Sequence, residues 1–367
     1  MPDTMIRLSE VTKTFPANDV PAVNRLCLEI PAGELVAFVG PSGSGKTTTL
    51  KMINRIIEPT SGTIEINGED ARTRPAHELR RDIGYVIQRI GLFPHRNVRQ
   101  NIATVPELQG WAKDRIAARV DELIELMSLD RSMLDRYPNE LSGGQQQRVG
   151  VARALAVDPP VLLMDEPYAA VDPLVRERLQ DQLLELQAQL AKTIVFVTHD
   201  IDEAIKLGDR IALLRQGGEL AQYDVPAEIL RSPADDFVAS FLGRERALKR
   251  LSLLPVSGAE LVEGPVVEAE SDVEVARQVA AREGTDWVGV LDGGRLRGWV
   301  WLHDLQPSVE VGANPTHDFR VWVPAQASLR TAVDAIVTAR NQVAVVYDDD
   351  QYLGMLFIET VSRELMR

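Results

Sequence analysis

Over residues 5–32 apolar and polar positions alternate in short runs, as in Ile6-Arg7-Leu8 and Leu26-Cys27-Leu28-Glu29-Ile30. A period of two predicts antiparallel strands with one buried face. Phe15 falls in the turn between them, and Phe15-Pro16 ends the first strand. The pattern then changes to nearly unbroken apolar runs at 35–39, 83–87, 161–164 and 193–197. Such runs predict strands buried on both faces, the pattern of a parallel sheet covered by helices. Residues 62–68 read as a further strand, closed by an Asn67-Gly68 turn.

Helical spacing fills the gaps. Residues 49–53 open a helix, and 97–157 read as helical, with Ile116, Val120, Leu123, Ile124 and Met127 on one face. Pro138 and Asn139 interrupt that stretch, and a new helix is predicted over 149–156. Another over 174–190 separates the last two buried runs. Strand, helix, strand in this order predicts an α/β fold with helices on both faces of the sheet. Past 208, strands at 210–214 and 218–223 and two amphipathic helices run to Phe241-Leu242-Gly243, and 244–262 read as a poorly patterned linker.

The last third repeats itself. Val288-Gly289-Val290-Leu291, Gly293-Gly294 and Leu296-Arg297-Gly298-Trp299-Val300 are echoed by Val343-Ala344-Val345-Val346, Asp348-Asp349-Asp350 and Tyr352-Leu353-Gly354-Met355-Leu356. Gly298 and Gly354 lie 56 residues apart, as do Val273 and Leu329, each near the start of an amphipathic helix. Two related small α/β units are expected.

Composition narrows the classes. The 367 residues carry a net charge of −14, which argues against a nucleic-acid partner held on a broad basic surface. Cys27 is the only cysteine, so neither an intrachain disulfide nor a cysteine zinc cluster can form. Between Leu26 and Leu28 it is expected to pack as a small apolar side chain. No apolar run reaches the length of a membrane span, and Met1-Pro2-Asp3-Thr4 runs straight into a strand without a signal-peptide core. A cytoplasmic protein is expected, and any work at a membrane requires another chain to hold it there.

Parallel sheets bind ligands at the carboxyl ends of their strands. Gly40, Gln88, Asp165, Glu166 and His199 all fall at such ends. Gly40-Pro41-Ser42-Gly43-Ser44-Gly45-Lys46-Thr47-Thr48 lies between a predicted strand and a predicted helix, the context of a phosphate-binding P-loop. Glycines let the loop wrap phosphates and aim N–H groups inward. The helix N-terminus adds positive partial charge. Lys46 can reach the β- and γ-phosphates, and Thr47 can offer its hydroxyl to Mg²⁺.

That loop, Gln88, Leu141-Ser142-Gly143-Gly144-Gln145, Asp165-Glu166, Asp172 and His199 follow one another in the order seen in ABC-transporter ATPases, which residues 4–243 resemble. Within that family, Leu50-Lys51-Met52-Ile53-Asn54-Arg55 and Gly84-Tyr85-Val86-Ile87-Gln88-Arg89-Ile90-Gly91-Leu92-Phe93-Pro94-His95 are similar to the ATPase subunits of quaternary-amine importers. Those subunits often carry a C-terminal pair of CBS modules, which the repeat resembles. The layout implied is a P-loop ABC ATPase domain over 4–243 with an antiparallel β subdomain and a helical subdomain at about 89–157. A linker over 244–262 and a smaller α/β tandem CBS-like domain over 263–367 follow, its copies at about 263–306 and 317–367.

The resemblance also implies roles. Phe15 stacks on adenine, and Gly40 to Thr48 hold the phosphates of ATP. Thr47, Gln88 and Asp165 set Mg²⁺. Glu166 serves as general base or water orienter, with His199 sensing the γ-phosphate and Gln88 beside the reaction centre. Ser142, Gly143, Gly144, Gln145 and Asp172 act across a head-to-tail pair of two copies. Residues 169–172 read Ala-Ala-Val-Asp, where the family usually has Ser-Ala-Leu-Asp.

The function implied is ATP hydrolysis that drives uptake of a glycine betaine, carnitine, choline or proline-type osmoprotectant. The partners implied are membrane-spanning permease subunits, a second copy of the chain and, indirectly, an extracytoplasmic solute-binding protein. The place of work is the cytoplasmic face of the membrane. The C-terminal pair is expected to regulate, with an adenine-type nucleotide as its candidate ligand. An importer ATPase for methionine or polyamines, and a non-transport ABC ATPase or nucleotide sensor, stand as alternatives.

Overall fold

Alternation dictates the first sheet. β1 (Thr4–Lys13) buries Ile6, Leu8 and Val11, and β2 (Val23–Pro31) buries Leu26, Leu28 and Ile30. The two run antiparallel with Leu8 opposite Leu28. Cys27 departs from the packing expected of it. It points outward and is exposed, its Sγ donating to Glu10 Oε1 at 3.1 Å. The period of two leaves it no choice, because its neighbours hold the inward positions. In the computed structural model, residues 4–16, 20–88, 91–169, 171–319, 322–339, 342–349 and 351–366 are described. Arg89, Ile90, Ala170 and Asp350, all within the motifs quoted above, lie outside them.

The chain divides into two compact units, Met1–Leu242 and Gly243–Arg367. In the first, β3 (Leu35–Val39) is fully buried and leads through residues 40–45 into α1 (Lys46–Ile53). The chain returns to the first sheet with β4 (Ser61–Ile66) and β5 (Glu69–Asp70), giving the order β2-β1-β4-β5. Asn67 and Gly68 between them both have positive φ, 52° and 78°, as a two-residue hairpin turn needs. After α2 (Ala76–Leu79) and β6 (Ile83–Val86) come the helices α3 (Val98–Leu108), α4 (Lys113–Leu126) and α5 (Gly143–Ala154).

Then β7 (Val161–Asp165), α6 (Pro173–Leu190), β8 (Thr193–Val197), α7 (Ile201–Leu207) and β9 (Arg210–Leu214) alternate. β10 (Leu220–Asp224), α8 (Pro226–Arg231) and α9 (Asp236–Leu242) complete the unit. The central sheet has the order β10-β9-β3-β8-β7-β6, parallel except for β10. The C-terminal ends of β3, β6, β7 and β8 therefore share one edge.

α5 starts six residues before the predicted 149. Ser142 caps it, its Oγ accepting from Gln145 N while Gln145 Oε1 accepts from Ser142 N at 2.9 Å. Two glycines in the first turn depress helix propensity, and this reciprocal cap offsets them.

In the second unit α10 (Arg246–Leu251) comes first. Leu251 and Val256 are buried in its core, and Val262 pairs with Met355. The stretch read as a linker is thus packed into the unit. Its short apolar segments lack any period long enough to read from sequence. Two β-α-β-β units follow. The first holds β11 (Val266–Glu268), α11 (Val273–Glu283), β12 (Trp287–Asp292) and β13 (Arg295–Trp301). The second holds β14 (Trp322–Pro324), α12 (Leu329–Thr338), β15 (Ala344–Asp348) and β16 (Gln351–Leu356), with α13 (Ile358–Met366) after it.

The 56-residue offset holds through the register: Val290 faces Gly298, and Val346 faces Gly354. The next residue in each copy, Trp299 or Met355, bridges to another segment, at His317 or Val262. Each glycine makes room for that crossing. A Cβ at Gly298 would lie 2.5 Å from His317 O, and one at Gly354 2.9 Å from Val262 O. Gly298→Ala should therefore destabilise the second unit by about 1–3 kcal/mol, while Gly258→Ala, where a Cβ meets nothing closer than 3.9 Å, should not. Four of the five tryptophans lie in this unit, so denaturant unfolding followed by tryptophan fluorescence reads the difference.

Candidate functional site

Residues 40–48 build a cradle whose shape calls for glycine at positions 40, 43 and 45. Gly43 and Gly45 have φ of 82° and 77°, and a Cβ at Gly45 would sit 2.3 Å from Ala22 O. Gly217 N donates to Gly43 O at 3.3 Å and braces the loop from behind. Gly45 is the N-cap of α1 and has no side chain to satisfy the first-turn N–H groups, which face outward for an anion. Thr47 and Thr48 stand half-buried in that turn, and Ser42 is exposed at the loop tip.

Lys46 is 7% exposed. Its ammonium donates to Gly40 O at 2.7 Å, Pro41 O at 3.1 Å and Ser44 Oγ at 3.3 Å. Burial holds its pKa below the ordinary lysine value, and the carboxylates of Glu166 and Asp165 oppose that shift.

Both carboxylates stand at the end of β7. Asp165 Oδ1 accepts from Thr47 Oγ1 at 2.8 Å. Burial raises its pKa above the usual aspartate range, against the Thr47 hydrogen bond. Glu166 has a φ of 45°, and its N–H donates to Val197 O at 2.9 Å. A non-glycine residue held in this region stores strain and is typical of functional positions. Its Oε2 accepts from Gln88 Nε2 at 2.8 Å, and its Oε1 lies 3.6 Å from His199 Nδ1. Thus Lys46, Thr47, Gln88, Asp165, Glu166 and His199, drawn from four strand ends, converge.

Among the described residues no group of three or more His, Cys, Asp or Glu side chains could hold a metal ion alone. The oxygens of Thr47, Asp165 and Gln88 are hard donors of the kind that Mg²⁺ takes alongside water and phosphate. The site fits a magnesium ion that arrives with a nucleotide.

Other predicted residues lie elsewhere in the unit. Ser142, Gly143, Gly144 and Gln145 open α5 and, among the described residues, share no hydrogen bond with 40–48. Ser142 and Gly143 are exposed. Asp172 caps α6, its Oδ1 accepting from Leu174 N at 3.0 Å. Phe15 is 36% exposed with the Lys13 ammonium 5.3 Å from its ring centre. Its segment is tied to the cradle through Ala22, whose N–H donates to Lys13 O at 2.8 Å and whose carbonyl abuts Gly45.

Several supporting residues were not singled out in the sequence. Glu203 on α7 is buried, accepting from Thr198 Oγ1 at 2.5 Å and Gln180 Nε2 at 3.2 Å. It fixes the strand end from which His199 projects. Asn101, fully buried, binds the carbonyls of Phe93, Arg96 and Asn97 and accepts from Phe93 N, so it sets the loop after Gln88. Arg153 on α5 donates to Gly91 O at 2.7 Å in the same loop. A charged or amide residue in a helix reads from sequence as a solvated one, so no signal in the sequence set these residues apart.

A family model described as ABC transporter matches residues 23–169. The chain is 49% identical over 355 residues to the glycine betaine/carnitine/choline transport ATP-binding protein OpuCA of Bacillus subtilis (strain 168), covering 95% of this chain and 93% of that one. It is 45% identical over 358 residues to the osmoprotectant import ATP-binding protein OsmV of Salmonella typhimurium, with coverage of 95% and 93%. Among solved structures, the ATP-binding cassette MJ0796, dimeric in a post-hydrolysis state with ADP and Pi, matches with a TM-score of 0.55 and 35% identity. That match covers 60% of this chain and 99% of the cassette.

The pKa of Glu203 is raised, first by burial, with the Thr198 hydrogen bond opposing it. A carboxyl whose folded pKa lies above its unfolded value binds more protons when folded, so stability falls as pH rises from the unfolded value through the folded one. Glu203→Gln removes that penalty, its amide pairing with Thr198 and a flipped Gln180. It should stabilise the chain more at pH 8 than at pH 5, as measured by denaturant unfolding at both.

Proposed function

The chain belongs to the ABC-transporter ATP-binding subunits of osmoprotectant importers, and from that premise we propose that its hydrolysis of ATP energises uptake of a quaternary-amine solute such as glycine betaine, carnitine or choline. The observation that carries this reading is identity of 49% maintained over 95% of the chain, through both compact units. A shared ATPase core alone would leave the solute class open. The chain has no helix long and apolar enough to cross a membrane among the described residues. Permease subunits hold it at the cytoplasmic face, and the solute is delivered to them by an extracytoplasmic binding protein.

In the mechanism we assign, the cradle N–H groups and Lys46 bind the β- and γ-phosphates. Thr47, Asp165 and Gln88 would hold a Mg²⁺ ion, which would supply charge neutralisation to the transferring phosphoryl group. Glu166 accepts the proton of the attacking water. The 2.8 Å hydrogen bond from Gln88 holds the carboxylate in place and leaves Oε1 for that water. His199, exposed beside Glu166, contacts the γ-phosphate and registers its loss. Phe15 carries the adenine. The capped N-terminus of α5, with exposed Ser142 and Gly143, meets the γ-phosphate held by a second copy, so that two composite sites form about a two-fold axis. Asp172, at the exposed cap of α6, faces the partner copy in the same arrangement.

Coupling to the permease runs through the loop after Gln88. Asn101 and Arg153 clamp that loop to the helical part, and Phe93 stays 39% exposed beside it. A change at Gln88 therefore moves a surface that a permease segment can grip. The second unit, a tandem repeat of the CBS-like kind, regulates.

Glu166→Gln should lower hydrolysis by about 10²–10⁴-fold while ATP still binds. It should accumulate as an ATP-bound dimer, seen by light scattering with Mg²⁺ present. Lys46→Ala should fail to bind ATP at all, and hydrolysis at the wild-type rate by either variant would refute the assignment.

A further inference from the structure

His199 projects from the end of β8 with its imidazole exposed and its Nδ1 3.6 Å from Glu166 Oε1. An exposed ring gains little hold from packing, so its place is set by the backbone on either side of it. Both neighbouring residues are tied, and both ties lead to α6. On one side Thr198 Oγ1 donates to Glu203 Oε2 at 2.5 Å, and Glu203 Oε1 accepts from Gln180 Nε2 of α6 at 3.2 Å. On the other, Asp200 Oδ2 lies 4.0 Å from Arg176 Nη1 of the same helix. Asp200 N donates to Thr198 Oγ1 at 3.0 Å and joins the two ties into one network around His199.

Packing does not require this chemistry. Beside Gln180, α6 buries Leu179, Leu183 and Leu186, and α7 buries Ile201, Ala204 and Ile205. Gln180, Glu203 and Thr198 are buried among them. A buried carboxylate costs stability that an apolar pair of similar shape would not. What a hydrogen-bonded chain supplies in a low dielectric is one defined register between two elements. A further contact between the same helices, Lys206 Nζ to Asp181 Oδ1 at 2.7 Å, lies at the surface, where an ion pair fixes little. Positions 172, 176 and 180 are spaced four apart and form a row along α6. Asp172 is the exposed N-cap, and Arg176 Nη2 donates to Val171 O at 3.3 Å just before it. The row runs from that cap to the side chains that hold Thr198 and Asp200.

We propose that Arg176 and Gln180 are positioning residues for His199, and that α6 transmits to it the contact a second copy makes at Asp172. The positioning is a matter of hydrogen bonds within one chain, whereas the transmission rests on the composite-site reading above. Engagement of the α6 cap adjusts His199 beside Glu166, so that hydrolysis follows association.

The test uses the full chain with Mg²⁺ and ATP. Gln180→Leu removes the donor to Glu203 and keeps a similar volume. It should lower kcat by about tenfold or more while changing the KM for ATP by less than about twofold. Gln180→Glu combined with Glu203→Gln reverses the bond: the amide now at 203 accepts from Thr198 and donates to the carboxylate now at 180. This exchange should recover most of the wild-type kcat. Asp181→Asn, which weakens only the surface contact, should hydrolyse as the wild type does, and thermal melts confirm that all three fold. Asp172→Ala added to Gln180→Leu should cost little more than the worse of the two alone, because both break one route. A wild-type kcat for Gln180→Leu, a loss in KM alone, or an exchange variant that folds yet stays as slow as Gln180→Leu would overturn the positioning role. Fully multiplicative losses for Asp172→Ala and Gln180→Leu would overturn the transmission. The wild-type rate per chain is measured against chain concentration in parallel: a rate that does not rise refutes the composite-site reading alone, and a rising rate with Gln180→Leu unimpaired refutes the positioning alone.

Discussion

A lysine with 7% exposure, its ammonium ringed by two carbonyls and a hydroxyl, is the constraint around which the first unit is built. Burying a charge is costly unless a partner of opposite sign is close, and the nearest carboxylates, Asp165 and Glu166, offset the burial of Lys46 only in part. In the proposed role, phosphate oxygens would complete what the fold leaves unbalanced. The same logic sets the backbone. The first turn of α1 presents uncapped N–H groups because its N-cap is a glycine, and that glycine is required by the carbonyl of Ala22 lying against it. Binding energy for an anion is therefore stored in the polypeptide before any nucleotide arrives.

The second consequence is incompleteness. Parallel strands deliver Gln88, Asp165, Glu166 and His199 to one edge, where the proposed base and the oxygens proposed to hold a metal come within reach of one another. Yet a second helix with an anion-binding start, α5, is capped and exposed away from that centre. In the arrangement proposed above, two copies related by a two-fold axis would bring each such terminus to the other's cradle, so that hydrolysis and association would become one event. Work on the permease then needs only the opening and closing of that pair.

Much of this was legible in the sequence because period and punctuation agree. The unbroken runs at 35–39, 161–164 and 193–197 became the central strands, and the side chains that converge at the candidate site lie where those runs stop. The 56-residue echo became two matching β-α-β-β units. What escaped was set by contacts rather than by period. α5 begins at Gly143 because a reciprocal cap outweighs two glycines. Cys27 faces outward because its neighbours claim the core. Residues 244–262 pack through Leu251 and Val256, isolated positions without a repeat. Glu203 and Asn101 look like surface residues until their partners, distant or turned inward, are seen.

The central claim is that one copy's cradle and another copy's α5 terminus close on the same nucleotide. Cys27 is the only cysteine, so Cys27→Ser gives a clean background. Chains carrying Ser42→Cys are mixed with chains carrying Ser142→Cys, both with Glu166→Gln, and oxidised with and without ATP. A covalent dimer that forms between the two kinds of chain and only with ATP is the result the account predicts. Absence of that cross-link when ATP is bound, or a yield indifferent to ATP, would contradict it.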